Sequence, residues 1–195
     1  MEHDIIELHR RAVREFEGRV DAIPGDAWQR PTPCLDWDVR ALVNHVVGED
    51  RWTVPLLEGK TIAQVGDALD GHLLGAEPRR AAREAMDAAI AAFAAAGVLN
   101  RTVHLSFGDA PAGEYAWQLF ADHLIHAWDL AAAVDGDDRL DPELVDACTE
   151  WFGPMEEMYR KAGAIGTRPG VPADADAQAR LLAAFGRSAH WAIPG

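Results

Sequence analysis

The chain has 195 residues, with 18 Lys+Arg against 32 Asp+Glu, two Cys, seven Trp and 49% hydrophobic residues. That length fits one domain with at most an appendage, buries about 70% of the unfolded surface, and with this apolar fraction excludes disorder. The formal net charge of −14 excludes nucleic acid and anionic membranes as partners, since both need basic patches, and leaves cations and small molecules.

The N-terminus, Met1-Glu2-His3-Asp4, is acidic where a secretory signal would be basic. The longest apolar run, Ala88 to Leu99, has 12 residues, too few to span a bilayer, which takes about 20. Cys34 and Cys148 form no CxxC pattern. These features predict a cytoplasmic, reducing location. The hydrophobic period is helical almost throughout. Helix one is predicted from about Asp4 to Val20, with Ile5, Leu8, Ala12 and Phe16 facing inward. Helix two starts near Asp36 as N-cap, with Asp38 in its first turn, and runs to about Leu57 with a bend near Gly48 or Pro55. Residues 60–76 are irregular with one helical turn, and helix three covers about Glu77 to Ala96. Arg101 to Phe107 alternates and holds β-branched residues, which suggests a short strand or an extended loop. Helix four runs from about Ala112 to Val134, helix five from the Asp141-Pro142 cap to about Ala162, and a last helix from near Asp174 to Phe185. The expected fold is all-α: a four-helix bundle over residues 1–135, with a small C-terminal helical extension over 136–195 packed on it.

Bundles place metal and cofactor sites between facing helices, so inward polar residues carry the functional argument. On helix two, Leu42, His45, Glu49, Trp52 and Leu56 share one face at 3-4 spacing. A lone His on such a face is ordinarily a packed core residue. On helix four, Asp122 and His126 project side by side, one turn apart, with Asp129 three residues further on. Two ligands at that spacing chelate a metal without backbone strain, and His45 supplies a third from another helix, leaving open positions for water or substrate. The competing reading is an i,i+4 ion pair on a solvated face. His123 is an alternative ligand on the neighbouring face, Asp129 an acceptor that orients a ligating imidazole, and Glu49 a general base or a fourth ligand.

Pro33 to Val46 (PCLDWDVRALVNHV) resembles the helix-two signature of the DinB-like metal-binding family, the group that includes mycothiol-dependent maleylpyruvate isomerase and many uncharacterised actinobacterial relatives. The D-x-x-x-H-x-W-D-L run from Asp122 to Leu130 is similar to the matching helix-four signature, and Val171 to Arg187 resembles the C-terminal segment of that subgroup. The resemblance implies a DinB-like bundle holding a divalent metal, zinc above all, with Ni2+, Fe2+ and Mn2+ as alternatives. Its ligands would be His45, Asp122 and His126, with Asp122 at a position that is Glu in the isomerase and His in many other members. It also implies mycothiol, a low-molecular-weight thiol, as cosubstrate beside a small electrophilic substrate. The metal would then lower the thiol pKa, and the thiolate would attack an electrophilic carbon, leading to transfer or cis–trans isomerisation.

Isomerase chemistry on a carboxylate substrate needs an Arg, for which Arg187 and Arg51 are the candidates. Cys34 lies just before helix two, flanked by Pro33 and Leu35, and reads as a packed, inert thiol more than as one activated by the helix dipole. Trp37, Trp52, Trp117 and Trp128 read mainly as core packing, and His104 sits in the irregular connection near the bundle mouth. A metal-dependent hydrolase, or a non-catalytic metal or small-molecule binding module, fits the same residues. A homodimer is compatible with the sequence.

Overall fold

A computed structural model describes residues 3–193. Met1 and Glu2, part of the acidic N-terminal sequence, lie outside the described residues. Helix α1 (Ile5–Ala22) is capped by Asp4, whose carboxylate accepts from the amides of Ile6 and Glu7. Its stripe of Ile5, Leu8, Ala12 and Phe16 is buried, together with His9, Val13 and Val20. Helix α2 (Val39–Leu57) begins later than Asp36: the N-cap is Asp38, which accepts from the Ala41 amide. The delay has a local cause. Residues 30–39 close a loop in which Val39 N donates to Arg30 O and Thr32 N to Trp37 O, and Asp36 takes φ +69°, outside helical space. Pro55 lies in the last turn of α2 and the helix continues past it to Leu57.

The irregular stretch holds the single turn α3 (Ile62–Val65), closed by a Thr61/Gln64 capping box. Asn44 of α2 ties this stretch down, donating to Gly71 O at 2.9 Å and accepting from Leu73 N at 2.7 Å. Helix α4 (Pro78–Phe93) is followed by a 3-10 turn, Val98–Asn100. The alternating segment becomes strand β1 (Thr102–Leu105), which pairs antiparallel with β2 (Gly108–Pro111) in the register Thr102↔Pro111 to Leu105↔Gly108. Helix α5 (Ala112–Ala133) follows directly. The single helix expected after Asp141 is instead α6 (Pro142–Phe152), a 3-10 turn Gly153–Met155 and α7 (Glu156–Lys161). Pro154 lacks the N–H a continuing helix needs, so the chain turns there. Helix α8 (Ala177–Ala184) starts from an Asp176 cap, two residues after the predicted start.

Helices α1, α5, α2 and α4 pack in that cyclic order, each touching the next, and form the bundle. Helix α5 is buried almost all round from Leu119 to Ala131, because α1 and α2 cover one side and α6 the other. The segment after Asp135 is fastened to the bundle by Arg11 of α1, which pairs with Asp141 at 2.6 Å and Glu143 at 2.8 Å, and it is braced within itself. Gln178 accepts from Leu140 N at 3.0 Å and donates to Asp138 O at 2.9 Å, and Phe185 stacks on Phe152 at 4.0 Å. Gly186 (φ +79°) lets the chain cross Gly166 so closely that a Cβ there would lie 2.9 Å from the Gly166 Cα. Among the described residues no helix is long and apolar enough to cross a membrane.

Candidate functional site

Three side chains from two helices meet at one end of the bundle. His45 comes from α2, and Asp122 and His126 from adjacent turns of α5. Asp122 lies 3.4 Å from His45 Nε2 through one carboxylate oxygen and 3.4 Å from His126 Nε2 through the other. One ligand atom from each of the three lies within 4.8 Å of the others. Asp122 Oδ2 is shielded from water and has no hydrogen-bond partner. The indole of Trp37, delivered by the 30–39 loop, lies against the His45 ring at 4.8 Å and the His126 ring at 6.0 Å.

Contacts behind the cluster aim His126. Its Nδ1 donates to Asp129 Oδ2 at 2.9 Å, so its Nε2 faces Asp122. Asp129 is fully buried and is held in turn by Arg187, whose Nε lies 3.1 Å from Oδ1 and whose terminal nitrogen lies 2.8 Å from Oδ2. That same nitrogen is 2.8 Å from Cys34 Sγ, and another donates to Phe185 O. Arg187 thus staples the C-terminal segment to α5, and Gly186 beside it fixes the approach. Burial pushes the His126 imidazole down, but Asp122, with help from Asp129 and Cys34, outweighs it and raises His126 well above its ordinary value. Burial pushes the Asp122 carboxyl up, yet His126 and His45 hold it well below the usual carboxylate range. Asp129 is lowered likewise, His126 and Arg187 overcoming its burial.

The remaining predicted residues divide. Glu49, one turn along α2 from His45, is pushed up by burial and by the nearby Asp122 charge. His123 is not brought to the cluster. It points into the core, where Nδ1 donates to Leu119 O at 2.8 Å and Nε2 lies 3.2 Å from Asp50. Both neighbours are acceptors, so both ring nitrogens carry protons. Asp50 raises His123 against its burial, and the adjacent His9 is pushed down to about 3 by burial and by His123. Arg51 is half-buried on α2 and makes no ion pair or side-chain hydrogen bond among the described residues. His104 pairs with Asp109 at 2.7 Å on the hairpin.

Sequence reasoning missed Asp50, and for Cys34, read mainly as a packed, inert thiol, it missed the partners. Cys34 is no isolated packed thiol: it lies 3.7 Å from Asp129 and in bonding reach of Arg187. Its one sequence signal is its place just before helix two, and its partner is 153 residues away. From Asp122 and His126 a cleft of about 660 Å³ opens between α5, the hairpin and the C-terminal segment. Ile125, Trp151, Phe152, Tyr159 and Phe185 wall it, and Arg187 lies at its base.

Comparison with known proteins agrees with this architecture. Residues 9–131 match the family described as mycothiol maleylpyruvate isomerase N-terminal domain. Two uncharacterized proteins of Mycobacterium tuberculosis, from strains H37Rv and CDC 1551, are each 33% identical over 145 residues, covering 72% of this chain and 73% of theirs. The crystal structure of the mycothiol-dependent maleylpyruvate isomerase superposes with a TM-score of 0.66 at 14% identity, over 96% of this chain and 90% of that one. A histidine-to-alanine mutant of that isomerase gives a TM-score of 0.59 at 16% identity, over 74% of this chain and 66% of the mutant's length. At these identities the two crystal structures establish a shared fold.

Proposed function

Because the chain belongs to the mycothiol maleylpyruvate isomerase N-terminal domain family, we propose that it is a metal- and thiol-dependent isomerase or transferase, with mycothiol as cosubstrate and a small electrophile as substrate. The observation that carries the metal is the spacing of His45, Asp122 and His126. From the one oxygen Oδ1, Asp122 lies 3.5 Å from His45 Nε2 and 3.4 Å from His126 Nε2, separations that are long for N–H···O bonds, which run about 2.7–3.2 Å. They match the edge of a tetrahedron built on bonds of about 2.0–2.1 Å, the zinc values for nitrogen and oxygen ligands. The unpartnered, water-shielded Asp122 Oδ2 is a donor atom of the kind such an ion satisfies. Two imidazoles and one carboxylate suit Zn2+, with Fe2+, Ni2+ or Mn2+ as alternatives. When bound, the metal supplies Lewis acidity that favours the thiolate form of the cosubstrate near neutral pH.

In this reading His45 and His126 bind through Nε2, and Asp122 binds through its carboxylate. Asp129 keeps the proton of His126 on Nδ1, and Arg187 keeps Asp129 ionised and in place. Trp37 packs against both imidazoles and limits water on that side. Glu49, raised by burial, takes up the thiol proton at its carboxylate. Residues 1–135 form the metal-binding bundle, and residues 136–195 are the extension that completes the cleft wall. The reaction belongs in the cytoplasm, where a small soluble thiol is available.

The test is the metal content of untagged protein purified without added metal. Wild type should carry close to one divalent ion per chain, and His45→Ala and His126→Ala should lose most of it. Failure of wild type to hold stoichiometric metal under any loading condition overturns the proposal. Mycothiol should raise the melting temperature of the metal-loaded protein; no shift at millimolar thiol turns the reading to a hydrolase or a binding module.

A further inference from the structure

The cleft that opens from Asp122 and His126 is of ordinary small-molecule size at about 660 Å³, and its composition selects what enters. Ile125, Trp151, Phe152, Met155, Tyr159 and Phe185 make its walls. At its rim stand Phe107, 72% exposed, and Met158, 59% exposed. These are two of the four large apolar side chains left exposed among the described residues. Apolar surface of this size concentrated around one opening marks a binding site.

The charges in the cleft point the same way. Besides His126, Arg187 is the one cation among the residues that line it. Its guanidinium is already matched by Asp129, at 2.8 and 3.1 Å, and is further engaged by Cys34 and the Phe185 carbonyl. The carboxylates facing the space are Asp122 and Glu114. One carboxylate entering here could reach the metal held at the inner end, but a second would leave water, meet Glu114 and find no unmatched protein cation. Maleylpyruvate, named for the structural relatives, is a dicarboxylic acid, and beyond the metal nothing in this cleft would hold its second charge.

We propose that this cleft takes a neutral, predominantly apolar organic substrate carrying an aromatic ring or comparable hydrocarbon body, and that it rejects dicarboxylates. The chemistry done on that substrate rests on the thiol-dependent reading above; its binding does not.

The experiment is calorimetric titration of the full-length, zinc-loaded protein with 1-acetonaphthone, a neutral aromatic ketone, and with maleate. The ketone should bind at least about tenfold more tightly than maleate, a difference of about 1.4 kcal/mol. Met158→Glu and Phe107→Glu, both at exposed rim positions where folding is not at risk, should each weaken the ketone by about tenfold. Met158→Arg should narrow the preference by strengthening maleate. Maleate binding as tightly as the ketone overturns the proposal, as does ketone binding that neither rim variant changes. If the ketone binds as expected while mycothiol leaves the melting temperature unmoved, the thiol reading fails and this one stands. A mycothiol-dependent shift with maleate preferred over the ketone has the opposite meaning.

Discussion

Replacing Arg187 with Met removes the cation that matches a carboxylate with no exposed side-chain surface, Asp129. The lost contacts are those to Asp129 at 2.8 and 3.1 Å, to Cys34 Sγ at 2.8 Å and to Phe185 O at 3.0 Å. Breaking a buried pair from one side costs about 3–5 kcal/mol, because the surviving charge stays buried. Two features favour the lower end. Arg187 keeps 15% of its side chain exposed, and His126 Nδ1 remains as a partner for Asp129 at 2.9 Å. The expected loss is therefore about 3 kcal/mol, which for a chain of this length lowers the melting temperature by roughly 6–12 °C. Urea denaturation of the metal-free protein, followed by far-UV circular dichroism, measures it. Arg187→Lys should recover part of the loss, since one charge returns without the fork. Arg80→Met, at the exposed Arg80–Glu84 pair on α4, should leave the midpoint where it is. A loss below about 1 kcal/mol for Arg187→Met refutes the reasoning, because the pair would then behave as a surface contact.

Three further outcomes follow from the same geometry. In the metal-free protein His126 is held protonated above its ordinary range by Asp122 and Asp129 despite its burial, so metal binding near pH 7 should release about one proton from it. Calorimetry in buffers of different ionisation heat measures this, and zero release contradicts the Nε2 ligand assignment. His9, at about 3 in the fold, stays neutral there while the unfolded chain takes up a proton below about pH 6.5. Its contribution to stability is thus complete above that pH and is lost as pH falls toward 3, by at most about 1.4 kcal/mol per pH unit. His9→Leu should flatten the acid limb of the stability curve; an unchanged slope counts against the assignment. Gly186→Ala places a Cβ 2.9 Å from the Gly166 backbone at φ +79°, so it should destabilise by about 1–3 kcal/mol and weaken metal retention by shifting Arg187. Equal stability and metal content in the variant would show that the crossing can give way.

Local pattern carried far in this chain. The stripe of Ile5, Leu8, Ala12 and Phe16 is buried as its spacing requires, and α5 spans Ala112–Ala133 where apolar residues recur without a break. The i,i+4 relation of Asp122 and His126 follows from helix geometry alone, since side chains one turn apart always share a face. What local pattern misjudged depended on distant partners or on backbone detail. Strand β2, Gly-Asp-Ala-Pro, has no alternation of its own and exists because β1 pairs with it. Helix α2 starts at Val39 because the 30–39 loop closes on itself first. His123 and His126 are three residues apart and chemically identical, yet one faces Asp50 in the core and the other Asp122 in the site.

The acidic excess of −14 follows from composition. Helical period likewise determined the bundle and the side-by-side placement of Asp122 and His126, because these are properties of one turn of backbone. Composition could not assign individual charges. Asp50 and Asp129 are buried and matched by His123 and Arg187, partners 73 and 58 residues away. Most of the other acidic residues remain in water. The junction of Cys34, Asp129 and Arg187, and the apolar cleft beside it, came from packing between segments far apart in the chain. Burial and charge matching depend on that packing, which no local window of sequence contains.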